Sequence, residues 1–366
     1  MPAFHRANRL HHPYINIIID WIHDPMPGLL LDTLRGTRGD RVPLWLMRQA
    51  GRYLPEYREL RAEKGGFLEL VYDSPSACEI TLQPIRRFGF DGAILFSDIL
   101  IVPHALGQNL QFLVGEGPHL SPRLADSELE AMVSAKHHLD PIYETVRLCR
   151  AALGEETTLL GFAGSPWTVA TYMVAGEGSR DQQAARSMAY TDPGKLQAIV
   201  DAIVEVTVEY LVGQIDAGAE GVQLFDSWAG SLAPDQFEKW VIAPNAKIVA
   251  ALKAARPDTP IIGFPKGAGA KLPAYAAETG VDAMALDETI DPVWADSVLP
   301  EGMPVQGNLD PLLILAGGEQ LSRRADYILE SLKGRPHIFN LGHGIDRHTP
   351  IAHVEQLVAT VRDWQG

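Results

Sequence analysis

The feature that most constrains this chain is a rhythm: eight short, nearly continuous apolar runs, each separated from the next by a stretch of helical composition. They are VPLWLM (42–47), GAILF (92–96), TLLGF (158–162), GVQLF (221–225), PIIGF (260–264), VDAMAL (281–286), MPVQ (303–306) and HIFNL (337–341). A strand that is apolar throughout is buried on both faces, the condition of a parallel sheet covered by helices. Eight of them alternating with helices predict an α/β fold, a closed (β/α)8 TIM barrel. An open doubly wound sheet shows the same alternation, but no Gly-rich dinucleotide turn follows any run, which favours closure. No Ser/Gly-rich or Pro-rich linker divides the chain, so residues 26–366 read as one domain. Residues 1–25 differ: they carry His5, His11, His12 and His23 without a clear period, and are expected to be a disordered extension rather than a metal-binding tail.

Helix punctuation supports this reading. Ser74-Pro75 and Asp192-Pro193 each place a capping side chain before a proline suited to the first helical position, and Gly89 and Gly218 stand at the expected ends. Pro84 and Pro244 fall inside helical patterns and should kink those helices or end them early.

Composition excludes several function classes. Of 366 residues 46% are hydrophobic, enough for one large core, yet no apolar run approaches the roughly 20 residues that span a membrane. Residues 1–25 lack the plan of a secretory signal and carry Asp20 and Asp24, so the protein is expected to stay in the cytoplasm. Only Cys78 and Cys149 are present, which rules out a disulfide framework and a thiolate-rich metal site. A formal charge of −15 argues against nucleic acid or an anionic membrane as partner, while leaving room for a local basic pocket. Phosphate-loop, esterase-elbow and zinc-protease motifs are all missing from the sequence. No metal or cofactor is therefore expected, and the chemistry should rest on ordinary side chains and the substrate's own electronics.

In a (β/α)8 barrel the loops after the strands build the active site. Arg48, Gln49 and Arg52 follow the first run, Ser97 and Asp98 the second, and Ser165, Trp167 and Tyr172 the third. Asp226, Ser227 and Trp228 follow the fourth, Lys266 the fifth, Asp287 the sixth, Asn308 and Asp310 the seventh, and His343 the eighth. Arg48 and Arg52, separated by Ala50 and Gly51, suit a bidentate grip on carboxylates; a solvated surface pair is the alternative. Asp98 at the end of a buried strand could steady positive charge on a substrate, or cap a helix. His343 between two glycines could hydrogen-bond a ligand or shuttle a proton, or be a satisfied structural histidine. Tyr172, Ser227 and Lys266 each have a structural alternative too: a core aromatic, a helix cap and a solvated cation.

Five segments carry a family resemblance: PLWLMRQAGRYLPEYRELR (43–61), FSDILIVPHALG (96–107), GFAGSPWTVATYMVAGEGS (161–179), GNLDP (307–311) and FNLGHGI (339–345). From about Met26 to the C-terminus the chain resembles the uroporphyrinogen decarboxylase family. The resemblance implies a cofactor-free (β/α)8 homodimer that converts uroporphyrinogen III to coproporphyrinogen III in haem or chlorophyll precursor synthesis. It implies that Asp98 accepts hydrogen bonds from pyrrole N–H groups and stabilises a cationic intermediate, and that Arg48 and Arg52 grip substrate carboxylates. Gln49, with the backbone at Ala50 and Gly51, would belong to the same binding loop, and Tyr172, Ser227 and His343 would contact carboxylates. Arg48, Tyr172 and His343 are the candidates for handling protons. The chain departs from the family pattern in two places: Arg347 and His348 after the glycine-flanked histidine, and Leu286-Asp287-Glu288, which has an acid where a tryptophan is common. A corrinoid or thiol methyltransferase of the same superfamily is the nearest alternative, but such relatives use a His/Cys/Cys zinc site and no cysteine lies beyond Cys149. A non-catalytic tetrapyrrole carrier would need the same arginines without needing Asp98.

Overall fold

The computed structural model describes residues 28–113, 117–129 and 133–366; the expected N-terminal extension lies outside them. Seven parallel strands form one sheet: β1 (Gly92–Ile94), β4 (Thr158–Gly164), β5 (Gly221–Asp226), β6 (Ile261–Pro265), β7 (Ala283–Ala285), β8 (Val305–Gln306) and β9 (His337–Ile338), hydrogen-bonded in that order. The other two strands, β2 (Asn109–Leu113) and β3 (Gly117–Ser121), pair antiparallel as a separate hairpin. Seven of the eight apolar runs therefore supply strands of this sheet, though several strands are shorter than the runs that contain them.

The first run is reduced furthest, to a single parallel bridge between Leu44 and Phe339, yet it closes the barrel. Phe339 N–H donates to Pro43 O at 2.8 Å and Trp45 N–H to Phe339 O at 3.3 Å, which joins this segment to the β9 side. On the other side Asp91 N–H donates to Leu44 O at 2.9 Å. A regular ladder cannot form there, because Pro43 has no N–H and Leu44 N–H donates at 2.8 Å to the Asp91 carboxylate rather than to a backbone carbonyl. The same carboxylate takes both Arg41 nitrogens, at 2.9 and 2.5 Å. Asp91 O in turn accepts from Thr158 N–H at 2.9 Å, so one buried residue links the first strand, an arginine and β4.

Inside the ring the core is apolar with one polar line across it. Trp45 Nε1–H donates to Gln306 Oε1 at 3.0 Å, and Gln306 Nε2–H to Gln223 Oε1 at 3.1 Å, spanning the first strand, β8 and β5. All three side chains are fully buried, so their hydrogen bonds offset the cost of removing polar groups from water. The helices pack outside, and among the described residues none is long and apolar enough to cross a membrane.

The punctuation is correct in part. The helix Pro193–Ala217 is capped by Asp192, whose side chain accepts from Lys195 N–H, and Gly218 and Gly89 end their helices. Ser74 is not a cap: it is the first residue of Ser74–Phe88, where Asp73 holds the cap position, and its hydroxyl donates to Pro141 O at 2.7 Å. Pro84 sits inside that helix, which continues to Phe88. Pro244 lies in the first turn of Ala243–Ala255, after a π-helical turn over Glu238–Ile242, a position where the missing N–H costs little. The β2–β3 hairpin was not anticipated; it docks on the helix Pro166–Ala175, with Leu120 N–H donating to Gly176 O at 2.7 Å.

Asp91→Ala should strand the Arg41 charge and the Leu44 N–H together. The expected loss is about 3 kcal/mol of unfolding free energy, the scale for removing one partner of a partly buried ion pair. Chemical denaturation checks it, and a loss below about 1 kcal/mol would show that the seam holds without this carboxylate.

Candidate active site

Four of the expected site residues share one electrostatic neighbourhood at the carboxyl ends of the strands. Arg48 acts through space on Asp98, Tyr172 and His343, and Asp98 acts on Tyr172. Arg48 follows the first strand, Asp98 follows β1, Tyr172 lies on the helix after β4, and His343 lies on the loop after β9. Residues far apart in the chain are thus gathered at one mouth by closure of the ring.

Arg48 reaches this position through an unusual backbone. Its φ is 61°, in the left-handed region that a non-glycine residue occupies at a cost of roughly 1 kcal/mol or more. The surroundings hold it there: Met47 N–H donates to Asn340 Oδ1 at 2.9 Å, and Ile345 N–H donates to Met47 O at 2.9 Å. The arginine side chain lies across Gly344, where a Cβ would come within 2.2 Å of Arg48 Cδ. The glycine beside His343 therefore makes room for the arginine.

Asp98 is half-buried, and its Oδ1 accepts from Leu100 N–H at 2.8 Å. Burial raises its pKa to about 6, against the opposing pull of that N–H and of Arg48. His343 moves the other way: burial first, then the Arg48 and Lys266 charges, lower it to about 3. Near neutral pH the site thus holds a carboxylate that has kept most of its charge and an uncharged imidazole. Burial raises the Tyr172 phenol, with Trp228 opposing, so Tyr172 is a hydrogen-bond donor rather than a phenolate.

The apolar wall of the cleft was missed as a functional feature. Phe162 and Phe225 meet edge to face at 5.6 Å, Phe225 and Phe264 at 5.9 Å, and Phe264 faces the His343 ring at 6.2 Å. The signal was present, since four successive apolar runs end on phenylalanine and the last three of them supply these rings. Tyr72, which nothing in the sequence singled out, also feels the Asp98 charge, and its hydroxyl is 2.7 Å from His104 Nδ1.

Other expected residues are placed differently. Gln49 is fully buried and faces away from the cleft: its Oε1 accepts from Leu46 N–H at 3.0 Å and its Nε2 donates to Gly92 O at 2.8 Å. Its side-chain amide is thus committed to the backbone of Leu46 and Gly92 and braces the loop. Ala50 and Gly51 form the half-buried turn after it. Arg52 is exposed; its carbonyl accepts from Arg58 at 2.9 Å, while its guanidinium makes no hydrogen bond or ion pair among the described residues. Ser227 is half-buried at the end of β5. Its neighbour Asp226 is turned inward: Thr168 Oγ1 donates to it at 2.5 Å and accepts from Trp228 N–H at 3.0 Å, which positions the loop that carries Ser227. Asp287 is likewise spent on structure, accepting from Gly267 N–H at 2.7 Å and Thr289 N–H at 2.9 Å. Arg347 and His348 are exposed and bond each other at 3.0 Å.

The family described as Uroporphyrinogen decarboxylase (URO-D) matches residues 27–364. A protein named uroporphyrinogen decarboxylase from Erythrobacter litoralis is 82% identical over 340 residues, which cover 93% of this chain and 100% of that relative. Another of the same name from Novosphingobium aromaticivorans is 68% identical, covering 93% of this chain and 99% of its own. Among solved structures a methyltransferase from Methanosarcina mazei superposes with a TM-score of 0.76 over 91% of this chain and 97% of its own; at 19% identity that likeness shows the fold alone.

Two outcomes follow from this geometry. Gly344→Ala should displace the Arg48 side chain and lower kcat/KM by about 10- to 100-fold, the scale of a small misplacement in a site, with little change in melting temperature; an unchanged kcat/KM would show that Arg48 does not need this seat. The second concerns stability. Asp98 has a folded pKa of about 6, above the roughly 3.9 of an unfolded aspartate, so its favourable contribution is complete only below about pH 4 and is lost as pH rises through 6. Asp98→Asn keeps the acceptor for Leu100 and should raise the melting temperature at about pH 7.5, with the gain shrinking toward about pH 4. Equal melting shifts at both pH values would rule this out.

Proposed function

The chain belongs to the uroporphyrinogen decarboxylase family, and on that premise we propose that it removes the four acetate carboxyl groups of uroporphyrinogen III as carbon dioxide, leaving coproporphyrinogen III in haem-precursor synthesis. It is a carboxy-lyase. The observation that supports the residue-level reading is the shared field of Arg48, which acts on Asp98, Tyr172 and His343, with the Phe264 ring beside that of His343.

The reaction needs little more than such a site. Protonation of a pyrrole carbon makes the ring cationic. The electrons of the breaking carbon–carboxyl bond then flow into the ring as carbon dioxide leaves. A second protonation turns the exocyclic carbon into a methyl group, and the ring carbon gives its proton back, so one proton is consumed per acetate. The substrate is its own electron sink, and the protein's task is to hold the arms and to steady the transient positive charge.

In this reading Asp98, ionised above about pH 6, accepts pyrrole N–H groups and faces the cation. The partly buried setting strengthens that attraction relative to water. Arg48 and Arg52 hold carboxylates by forked hydrogen bonds, and Tyr172, Ser227 and His343 donate further ones. Gln49, Ala50 and Gly51 belong to the same binding loop, with the Gln49 side chain bracing it and the loop backbone left to meet the ligand. Burial first, and then the Arg48 and Lys266 charges, keep the His343 imidazole neutral, so it meets a carboxylate as an N–H donor. The same reading carries a cytoplasmic homodimer.

Anaerobic incubation with uroporphyrinogen, followed by chromatography, should yield coproporphyrinogen; absence of that product would overturn the assignment. Asp98→Asn should keep most binding and lose about 100- to 1000-fold in kcat, the scale for removing one preorganised electrostatic partner. Product formation at the wild-type rate would remove Asp98 from the mechanism.

A further inference from the structure

Lys266 is a cation that the reading above leaves without a task. Its backbone is anchored just past β6: its N–H donates to Asp226 O at 3.0 Å and Phe264 O at 3.2 Å, and its O accepts from Gly230 N–H at 2.9 Å. Phe264, on the strand that leads into the lysine, has its ring 6.2 Å from that of His343. The lysine thus stands in the turn after that strand, and the His343 imidazole feels its charge together with that of Arg48.

The far end of this side chain is held loosely. Lys266 Nζ lies 3.4 Å from Glu288 Oε1, with the two side chains 30% and 24% exposed. A strong ammonium–carboxylate hydrogen bond is nearer 2.8 Å. Glu288 Oε2 is buried and makes no hydrogen bond among the described residues. Both groups have thus lost much of their water for an ion pair of poor geometry, an arrangement that contributes little to stability. Glu288 itself cannot drift far, because its backbone N lies 2.1 Å from where a Cβ on Gly342 would stand, in the loop that carries His343.

We propose that Lys266 is a further carboxylate-binding residue of the cleft, held in reserve by Glu288 and released to an acid arm of the tetrapyrrole when the substrate enters. The inference rests on the decarboxylase reading for the identity of the ligand. Glu288 sets the threshold: a ligand carboxylate must compete with it for the ammonium, so ligands with many acid arms are favoured over those with few. Uroporphyrinogen has eight carboxylates and coproporphyrinogen four, and the competition therefore discriminates substrate from product by charge.

Direct binding tests this apart from turnover. Quenching of tryptophan fluorescence is followed on titration with uroporphyrin, which has eight carboxylates, and with coproporphyrin, which has four. Lys266→Met should weaken uroporphyrin binding about tenfold and coproporphyrin binding less, while Lys266→Arg should retain most of the affinity. Glu288→Gln should tighten uroporphyrin binding several-fold, and that gain should vanish in the Lys266→Met background, as coupled residues require. Circular dichroism and melting curves confirm that each variant is folded. Unchanged affinity in folded Lys266→Met, or a Glu288→Gln gain that persists without the lysine, would overturn the proposal. Failure of the wild-type protein to form coproporphyrinogen would instead defeat the decarboxylase reading, whatever the titrations show.

Discussion

Barrel closure at Asp91 is the constraint on which the site depends. A parallel sheet left open could place the loops after β1 and β9 at opposite ends, whereas a ring forces every strand's carboxyl end onto one rim. The ring closes where its strand is weakest, around Pro43 and Leu44, and a side chain does part of the work that a ladder does elsewhere. The Asp91 carboxylate, Arg41 and the Leu44 N–H satisfy one another, so these groups leave water with partners. Arg48 stands four residues beyond Leu44, so the closure also determines where the principal cation of the site begins.

From that rim the chemistry follows by a division between groups used for structure and groups left for a ligand. Gln49, Asp226 and Asp287 are bound to backbone or to neighbouring side chains and hold loops in place. Arg52 and Lys266 are uncommitted or loosely held, and Asp98 spends one oxygen on Leu100. Burial raises Asp98 and depresses His343, opposite senses as it must have for an acid and a base. The cost of keeping Asp98 charged in such a place is the usual one for a site built to act on charge rather than to be stable.

Much of the fold was readable because strand burial writes itself into composition. Seven of the eight runs became strands of the sheet and the first joins it by a single bridge, and the Asp192 cap and the Gly89 and Gly218 ends were correctly placed, since each depends on residues adjacent in sequence. The hairpin of Asn109–Ser121 was not, because its half-buried alternation is weak and its stability comes from docking on a distant helix. The Ser74 cap failed for a similar reason: a tertiary acceptor, Pro141 O, was available to its hydroxyl. Within the site, Asp98, Arg48, Tyr172 and His343 could be named from strand-end position and family resemblance, while Tyr72 could not.

By itself, then, the sequence determined the class of fold, the family and the set of residues at the strand ends, because these follow from local pattern and from motifs long enough to be distinctive. Only the tertiary structure decided which of those residues face the cleft and in what charge state. Gln49 and Arg48 are neighbours in the chain, yet one is turned inward to Gly92 and the other lies across Gly344. Direction and protonation depend on what surrounds a group in space, on burial and on charges brought from hundreds of residues away, and neither is a property of the local chain.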